Sequence, residues 1–244
     1  MPYELYYWPG LQGRGEFVRL ALEDSGADYA DVARGSERDG QGMPAMMKIL
    51  GGAVDPFTPF APPFLKDGET IVSQVANILE YLGPKLGLAP REEGLRRFAN
   101  GLQLTIADMV AEVHDTHHPI AAGRYYEDQK EAAKARSADF IKHRIPKYMD
   151  YFERVLTRNP CGDSQAIGRT ITYVDLSLFQ LVEGLNYAFP RATKDFGARY
   201  PALAALREAV RARPNIAKYL TSERRVAFNE TGIFRRYPEL DQDQ

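Results

Sequence analysis

Residues 62–83, PPFLKDGETIVSQVANILEYLG, hold the densest structural signal in the chain. Asp67-Gly68 is a turn dipeptide between two short apolar segments, so residues 62–72 are predicted to form two strands joined by a tight turn. Residues 73–83 then repeat apolar side chains at helical spacing and end at a glycine, which predicts a helix over that range. The stretch therefore predicts a hairpin followed by a helix.

The residues before this stretch predict a second set of alternating elements. Residues 3–8 (YELYYW) alternate and are aromatic, which is typical of a strand. Residues 14–26 (RGEFVRLALEDSG) place apolar side chains on one face and stop at a glycine, which predicts a helix. A short strand is expected near residues 28–33, followed by an irregular stretch rich in glycine and proline. The predicted order is therefore βαβ, a loop, and ββα.

The second half of the chain has a different character. After Pro90 the strand signals stop, and long helical patterns follow. These patterns fill residues 91–122, 129–157, 172–189 and about 201–213. We therefore predict a small α/β domain at residues 1–84 and an all-α helical bundle at residues 91–244.

The composition argues against several classes of function. The chain has 244 residues with 31 basic and 33 acidic side chains, and neither sign gathers into a block. No nucleic-acid or membrane-surface partner is therefore indicated. The N-terminus lacks the layout of a signal peptide, and no apolar stretch approaches the roughly 18 residues of a membrane span. The chain has a single cysteine, Cys161, which has no basic neighbour in sequence and is expected to be inert. A single cysteine and the lack of an export signal together predict a protein of the reducing cytoplasm.

Four stretches, in order across nearly the whole chain, carry a resemblance to a known family. They are YWPGLQGRGE at 7–16, PPFLKDG at 62–68, SQVANILEYLG at 73–83 and ITYVDLSLF at 171–179. Each alone is a weak signal, because aromatic strands and Asp-Gly turns are common. Together they resemble the cytosolic glutathione S-transferases of the tyrosine type (pi, mu and sigma), in a form that looks bacterial.

The resemblance implies a fold and an activity. It implies a thioredoxin-like domain that holds glutathione as co-substrate and a helical domain that holds a small hydrophobic electrophile, in a homodimer. The reaction it implies is conjugation of the glutathione thiolate to that electrophile. A glutathione-transferase-like binding protein with little transferase activity stays open as an alternative, as does a glutathione-dependent peroxidase, isomerase or dehalogenase.

Two tyrosines at the end of the first strand are the candidates for activating the thiol. Strand alternation places Tyr6 and Tyr7 on opposite faces of the sheet. The resemblance selects Tyr7, which is followed by the aromatic Trp8, and matches Arg14 to the arginine of the family's turn. That turn is one residue longer here than in the family pattern, so Tyr6 stays open as the alternative. A role for both tyrosines in sheet packing alone stays open as well.

The resemblance also assigns the residues that bind glutathione. It places a cis peptide bond before Pro63 and has the preceding residue, here Pro62, bond the cysteinyl part of glutathione, although proline has no N–H to donate. It matches the family's glutamine to Gln74, and its serine at the carboxylate-binding helix start to Val75, which has no hydroxyl. Ser73 is expected to cap this helix. Glutathione binding weaker than the family norm is therefore expected, while a stiff loop entry remains the alternative for the two prolines.

Three of the four histidines lie together at His114, His117 and His118. Their helical spacing is one that can bind zinc, but no ligand from a second element is indicated. A structural role, or a place in the wall of the electrophile pocket, is therefore favoured, and no metal is expected.

The pair Thr172 and Asp175 has the spacing of a helix cap. A threonine before a helix and an acidic residue three positions later satisfy each other's backbone groups and complement the helix dipole. The pair is therefore predicted to be structural rather than catalytic.

Overall fold

The computed structural model of the chain describes residues 2–52 and 58–241. Its first part runs β1 (Tyr3–Tyr6), α1 (Gly15–Ser25), β2 (Tyr29–Asp31), α2 (Gly42–Leu50), β3 (Phe64–Asp67), β4 (Thr70–Ser73) and α3 (Val75–Leu86). Within these described residues the strands form one sheet in the order β2-β1-β3-β4. β1 pairs in parallel with β2, while β3 pairs antiparallel with both β1 and β4. The predicted α/β fold of this part is confirmed.

The two faces of the sheet bury different sets of side chains, as the alternation in β1 requires. Leu5 packs with Val18 and Leu22 of α1 and with Ile78 and Leu82 of α3. The next residue, Tyr6, lies on the other face, in a cluster with Val32, Met46, Ile49 and Phe64. The side chains of residues 5 and 6 therefore point to opposite faces of the sheet.

The start and the end of α3 differ from the prediction. Ser73 does not cap the helix: it is the last residue of β4, and Gln74 occupies the cap position with a φ of 70° and no side-chain cap bond. Gly83 does not end the helix either, because α3 continues to Leu86 and stops at Gly87 in the left-handed conformation. Gly83 serves packing instead, since a Cβ there would lie 2.8 Å from the Tyr173 ring.

One element of the first part was not predicted at all. The glycine- and proline-rich stretch after β2 contains the helix α2, Gly42–Leu50, with Met46 and Ile49 buried against the sheet. The flanking glycines and the internal Pro44 hide its helical pattern in the sequence, although proline is tolerated near a helix start.

The second part of the chain is helical, as predicted. Its helices are α4 (Glu93–Asp115), α5 (Lys130–Asp139), α6 (Ile145–Thr157), α7 (Tyr173–Ala188), α8 (Phe196–Arg199), α9 (Pro201–Arg211) and α10 (Pro214–Leu220), and a π-helical turn at Phe140–Arg144 joins α5 to α6. No helix in the described part of the chain is long and apolar enough to cross a membrane. The boundaries at residues 84 and 91 between the two domains stay a prediction.

The central helix α7 begins at the predicted cap. The Asp175 carboxylate accepts from the Thr172 N–H at 2.7 Å and from its hydroxyl at 2.8 Å. Its other oxygen accepts from the N–H of Ala166 at 2.7 Å, so Asp175 ties the preceding loop to the helix. Burial raises the pKa of this carboxyl to about 6. The structural role assigned from the sequence is confirmed by these contacts.

The α/β part is held against the helical part by buried charges on α1. Glu16 is fully buried and accepts from the Tyr219 hydroxyl at 2.7 Å. The same carboxylate pairs with Arg19 on its own helix at 3.3 Å and with Arg225 from beyond α10. A charge removed from water is stable only when it is paired, so this cluster fixes how α1 meets the C-terminal residues.

Replacing Arg225 tests this contact between the two parts. Arg225→Met removes one cation from a buried carboxylate, so the free energy of unfolding is expected to fall by about 3 kcal/mol in denaturant titration. The control is Arg97→Met, which breaks an exposed pair with Glu80 and is expected to cost about 0–1 kcal/mol. If the two variants lose the same free energy of unfolding, the buried cluster does not hold the α/β part against the helical part.

Candidate functional site

The Tyr7 side chain is fixed by the loop that follows it. Its hydroxyl oxygen accepts a hydrogen bond from the backbone N–H of Arg14 at 2.9 Å, and the side chain is 5% exposed. Burial raises the pKa of this hydroxyl, while the Arg14 N–H and the charges of Arg14 and Arg19 oppose the rise. Tyr7 therefore keeps its proton at neutral pH, and within residues 2–52 and 58–241 no acceptor takes it.

Two glycines make this position of Tyr7 possible. A Cβ on Gly13 would lie 2.1 Å from the Tyr7 hydroxyl oxygen, and one on Gly15 would lie 2.6 Å from the ring. Gly13 also has a φ of 44°, in the left-handed region that favours glycine. Glycines on both sides of Arg14 therefore leave the space that the Tyr7 side chain needs to accept from the Arg14 N–H.

Tyr6 is occupied on the other face of the sheet. Its hydroxyl donates to Glu4 at 2.6 Å, and its ring stacks on Phe64 with the centroids 4.6 Å apart. Burial and the Glu4 carboxylate both raise the pKa of this hydroxyl. The predicted separation of the two tyrosines is confirmed, and of the two, Tyr7 has the uncommitted proton.

The two prolines before β3 lie close to the Tyr7 position. The peptide bond between Pro62 and Pro63 is cis, as predicted. Tyr6 pairs with Phe64 across β1 and β3, so the register brings Pro63 beside Tyr7 just beyond the paired residues. The register therefore brings Pro63 next to the tyrosine that the sequence singled out.

A cavity of about 270 Å³ opens between the start of α3 and the middle of α4. Its wall includes Arg14, Gln74, Val75 and Ala76 on one side and Gln103 and Leu104 on the other, and we call it the α3–α4 cleft. Arg14, Gln74 and Val75 were singled out from the sequence, and the fold brings all three to this cleft. Gln103 was missed, because a glutamine on an amphipathic helix gives no sequence signal of its own.

The three clustered histidines pack against one another: the rings of His114 and His118 stack, and both meet the ring of His117 edge to face. Their ring centroids are 4.7–5.1 Å apart, and the Nε2 of His117 donates to the Ile233 carbonyl at 2.7 Å. Burial lowers the pKa of His117 to about 3 and that of His118 to about 4, so both are neutral at pH 7. In the described part of the chain no group of three potential ligands could hold a metal ion.

The residues after α10 hold the turn that carries Arg14, and the sequence gave no indication of this. Asn229 donates to the carbonyl of Gly10 at 2.8 Å, and Gln12 donates to the carbonyl of Val226 at 2.5 Å. We call residues 223–234 the C-terminal segment. Its contacts span more than 200 positions in sequence, so no local pattern predicts them.

Comparisons with known proteins find relatives along nearly the whole chain. A family model described as the C-terminal domain of glutathione S-transferase matches residues 114–223. A glutathione S-transferase P 1 from Xenopus laevis is 30% identical over 91% of this chain and 93% of its own. A glutathione S-transferase from Plasmodium falciparum is 27% identical over 90% of this chain and 95% of its own. These relatives are eukaryotic and give no support to the bacterial look inferred from the sequence.

Solved structures share the fold at lower identity. The pi-class glutathione S-transferase of Onchocerca volvulus superposes with a TM-score of 0.67 at 21% identity, covering 90% of this chain and 92% of its own. The prostaglandin synthase D of Nilaparvata lugens gives 0.68 at 17% identity, covering 91% and 98%. At these identities the likeness concerns the fold alone.

Adding one methyl group tests the packing around Tyr7. In Gly15→Ala the new Cβ meets the buried ring, so denaturant titration should show a loss of about 1–3 kcal/mol, although alanine is the better helix former. Gly101, in the middle of α4, has open space around it and is the control. Gly101→Ala should gain up to about 1 kcal/mol. A gain in both variants would show that Tyr7 is not held as tightly as described.

Proposed function

The chain belongs to the glutathione S-transferase family, and we propose that it joins the thiolate of glutathione to a small hydrophobic electrophile with Tyr7 as the activating residue. The observation that carries the proposal is the bond from the Arg14 N–H to the Tyr7 oxygen, which leaves the hydroxyl proton free to donate. The relatives that carry the name are transferases, so a binding protein with little transferase activity is not favoured.

The chemical task is to ionise a thiol. A thiol with a pKa near 8.5 is only about 3% ionised at pH 7, and lowering that pKa by about two units requires roughly 2.7 kcal/mol of preference for the thiolate. A hydrogen bond to a charged acceptor contributes about 1.5–3 kcal/mol, so one well-placed hydroxyl accounts for most of the requirement. The Arg14 N–H polarises the Tyr7 hydroxyl and makes it a stronger donor.

Tyr7 and Arg14 have separate parts in this reaction. The thiol proton leaves to solvent, and the Tyr7 hydroxyl stabilises the sulfur anion. The sulfur then forms a bond to the electrophilic carbon, and the bond from that carbon to its leaving group breaks, which releases chloride in the case of chlorodinitrobenzene. Arg14 acts through its backbone N–H on Tyr7 and through its side-chain charge, which favours an anion nearby. Tyr7 stays protonated throughout, in keeping with the raised pKa of its buried hydroxyl.

Glutathione is held along the edge that Pro62, Pro63, Gln74 and Val75 form. The start of α3 offers free backbone N–H groups and the positive end of a 12-residue helix, which suits a carboxylate. Pro62 has no N–H and Val75 has no hydroxyl, so these contacts depend on backbone carbonyls and on the helix start. The hydrophobic electrophile binds on the α4 side, next to the sulfur.

We also propose that the protein is a homodimer. The Phe60 side chain is 95% exposed, just before Pro62. A largely apolar cavity of about 370 Å³ opens between α4 and α6, lined by Leu95, Phe98, Tyr151 and Val155 among others. An exposed phenyl ring and an apolar cavity on the same chain are complementary, so Phe60 of one subunit fits this cavity of the other.

A cytoplasmic location is proposed as well. The single cysteine, Cys161, is a free thiol on the surface. Proteins of oxidising compartments tend to hold their cysteines as disulfides, whereas an exposed free thiol persists where the surroundings are reducing.

The role of Tyr7 is tested in two steps: each variant is first checked for retention on immobilised glutathione, and its kinetics are then measured. Tyr7→Phe should keep most of the glutathione affinity, because the ring still packs, but lose about 10- to 100-fold in kcat/KM with chlorodinitrobenzene at pH 7. Tyr6→Phe is the matched control and should stay within about twofold, because Tyr6 donates to Glu4 on the other face. The opposite order of losses would assign the thiol to Tyr6.

The homodimer is tested by light scattering. The wild type should have twice the mass of the chain, and Phe98→Arg should give the mass of the single chain, because an unpaired charge in the wall of an apolar contact becomes buried on association. Tyr125 is also exposed but lies away from the cavity, so Tyr125→Ser should remain dimeric. A wild type of single-chain mass would contradict the proposal.

A further inference from the structure

Gln180 is a buried amide in the middle of α7. It is 0% exposed, and its neighbours in sequence, Phe179 and Leu181, are buried apolar residues. Its side-chain nitrogen donates to the side-chain oxygen of Gln12 at 2.8 Å, and its side-chain oxygen accepts from the Arg225 guanidinium at 3.1 Å. A buried amide needs such partners, because leaving one unpaired costs free energy. The Gln180 side chain is therefore fixed between two distant parts of the chain.

Gln12 receives this contact in the turn before α1. The residue is 5% exposed, and its side-chain nitrogen donates to the Val226 carbonyl of the C-terminal segment at 2.5 Å. Its backbone carbonyl accepts from the N–H of Glu16 at 3.0 Å and from the Arg19 guanidinium at 3.4 Å. The side chain of Gln12 is therefore bonded to α7 and the C-terminal segment, while its backbone is bonded to α1.

The position of Gln12 decides where the Arg14 N–H lies. Only Gly13 separates the two residues, so a shift of Gln12 passes through two rigid peptide units to the N–H that bonds the Tyr7 oxygen at 2.9 Å. A hydrogen bond weakens steeply when its angle departs from the linear arrangement. The alignment of the Tyr7 hydroxyl therefore depends on how firmly Gln12 is held.

A pair of amides holds the turn more sharply than apolar side chains would. A donor and an acceptor bond only over a narrow range of distance and angle, whereas apolar groups pack over a wider range of positions. A buried polar network whose members are all paired makes the surrounding structure rigid and specific. The bond between Gln180 and Gln12 therefore sets the position of the turn against α7.

We propose that Gln180 and Gln12 are positioning residues for the reaction, because their amide pair keeps the Arg14 N–H on the Tyr7 oxygen and so aims the Tyr7 proton at the thiol. The inference rests on the proposed function, in which Tyr7 stabilises the thiolate. It extends that function by making the ionisation of the thiol depend on the core of the helical part. Gln180 is fully buried and therefore acts on the reaction only through the turn.

The test follows the ultraviolet absorbance of bound glutathione against pH in variants of the pair. Gln180→Met and Gln12→Met keep the length of the side chain but remove the amide. In each, the transition of the bound thiol should rise by about one pH unit from the wild-type value. The value of kcat/KM with chlorodinitrobenzene should then fall about threefold at pH 7 and about tenfold at pH 5.5, where both transitions lie above the pH.

A double variant separates positioning from stability. In the variant with both Gln180→Met and Gln12→Met, neither amide is left facing an apolar side chain. Its thermal midpoint should therefore be at least that of the less stable single variant. Its thiol transition should rise by the same amount as in either single variant rather than by the sum, because both changes break the same bond.

Ser177→Ala is the matched control on the same helix. Ser177 lies three residues before Gln180, is 0% exposed, and its hydroxyl has no hydrogen-bond partner within residues 2–52 and 58–241. The variant changes the buried face of α7 without removing a bond to the turn. Its bound thiol should titrate as in the wild type.

The outcomes distinguish this inference from the proposed function. If glutathione bound to the wild type ionises near its free value of about 8.5, the proposed function fails, and the inference fails with it. If the wild type ionises the thiol at low pH and the folded methionine variants give the same curve, the amide pair has no positioning role, while the transferase proposal stands. A transition raised equally in Ser177→Ala would also overturn the inference, because any change in α7 would then have the same effect.

Discussion

The hydrogen bond from the Arg14 N–H to the Tyr7 oxygen is the interaction on which the site depends. It requires two glycines, because a methyl group at Gly13 or Gly15 would collide with the tyrosine. It also requires a turn of fixed shape, which Asn229 of the C-terminal segment holds by donating to the Gly10 carbonyl. The C-terminal segment therefore helps to position a side chain at the end of the first strand. These constraints produce a buried Tyr7 hydroxyl whose oxygen accepts from the Arg14 N–H and whose proton can be donated to a ligand.

Features set by local rules were predictable from the sequence. Alternation in the first strand separated Tyr6 from Tyr7, and the structure places them on opposite faces. The glycine at position 26 ends α1 in the left-handed conformation, as its place after an apolar pattern predicted. The cap at Thr172 and Asp175 was predictable because all its atoms lie within one helical turn. In each case a few neighbouring residues contain the whole interaction.

Features set by distant contacts were not predictable. Gly83 has the local signature of a helix end, but its role comes from Tyr173, which packs against it from α7. Ser73 has the signature of a cap, but pairing with β3 keeps it in a strand. Gln103 lines the α3–α4 cleft only because α4 packs against the start of α3, far away in sequence. The sequence therefore indicated much of the site, while the contacts made between distant elements appear only in the assembled fold.

The central claim, that the Tyr7 hydroxyl stabilises the thiolate, is tested most directly by following the ultraviolet absorbance of bound glutathione against pH. With the wild type, the bound thiol should ionise about two pH units below its free value near 8.5, and Tyr6→Phe should give the same curve. With Tyr7→Phe the transition should move back towards about 8.5, because the ring remains but the donor is gone. A transition that stays low in Tyr7→Phe would contradict the account, and would assign the thiolate to Arg14 or to other donors of the turn.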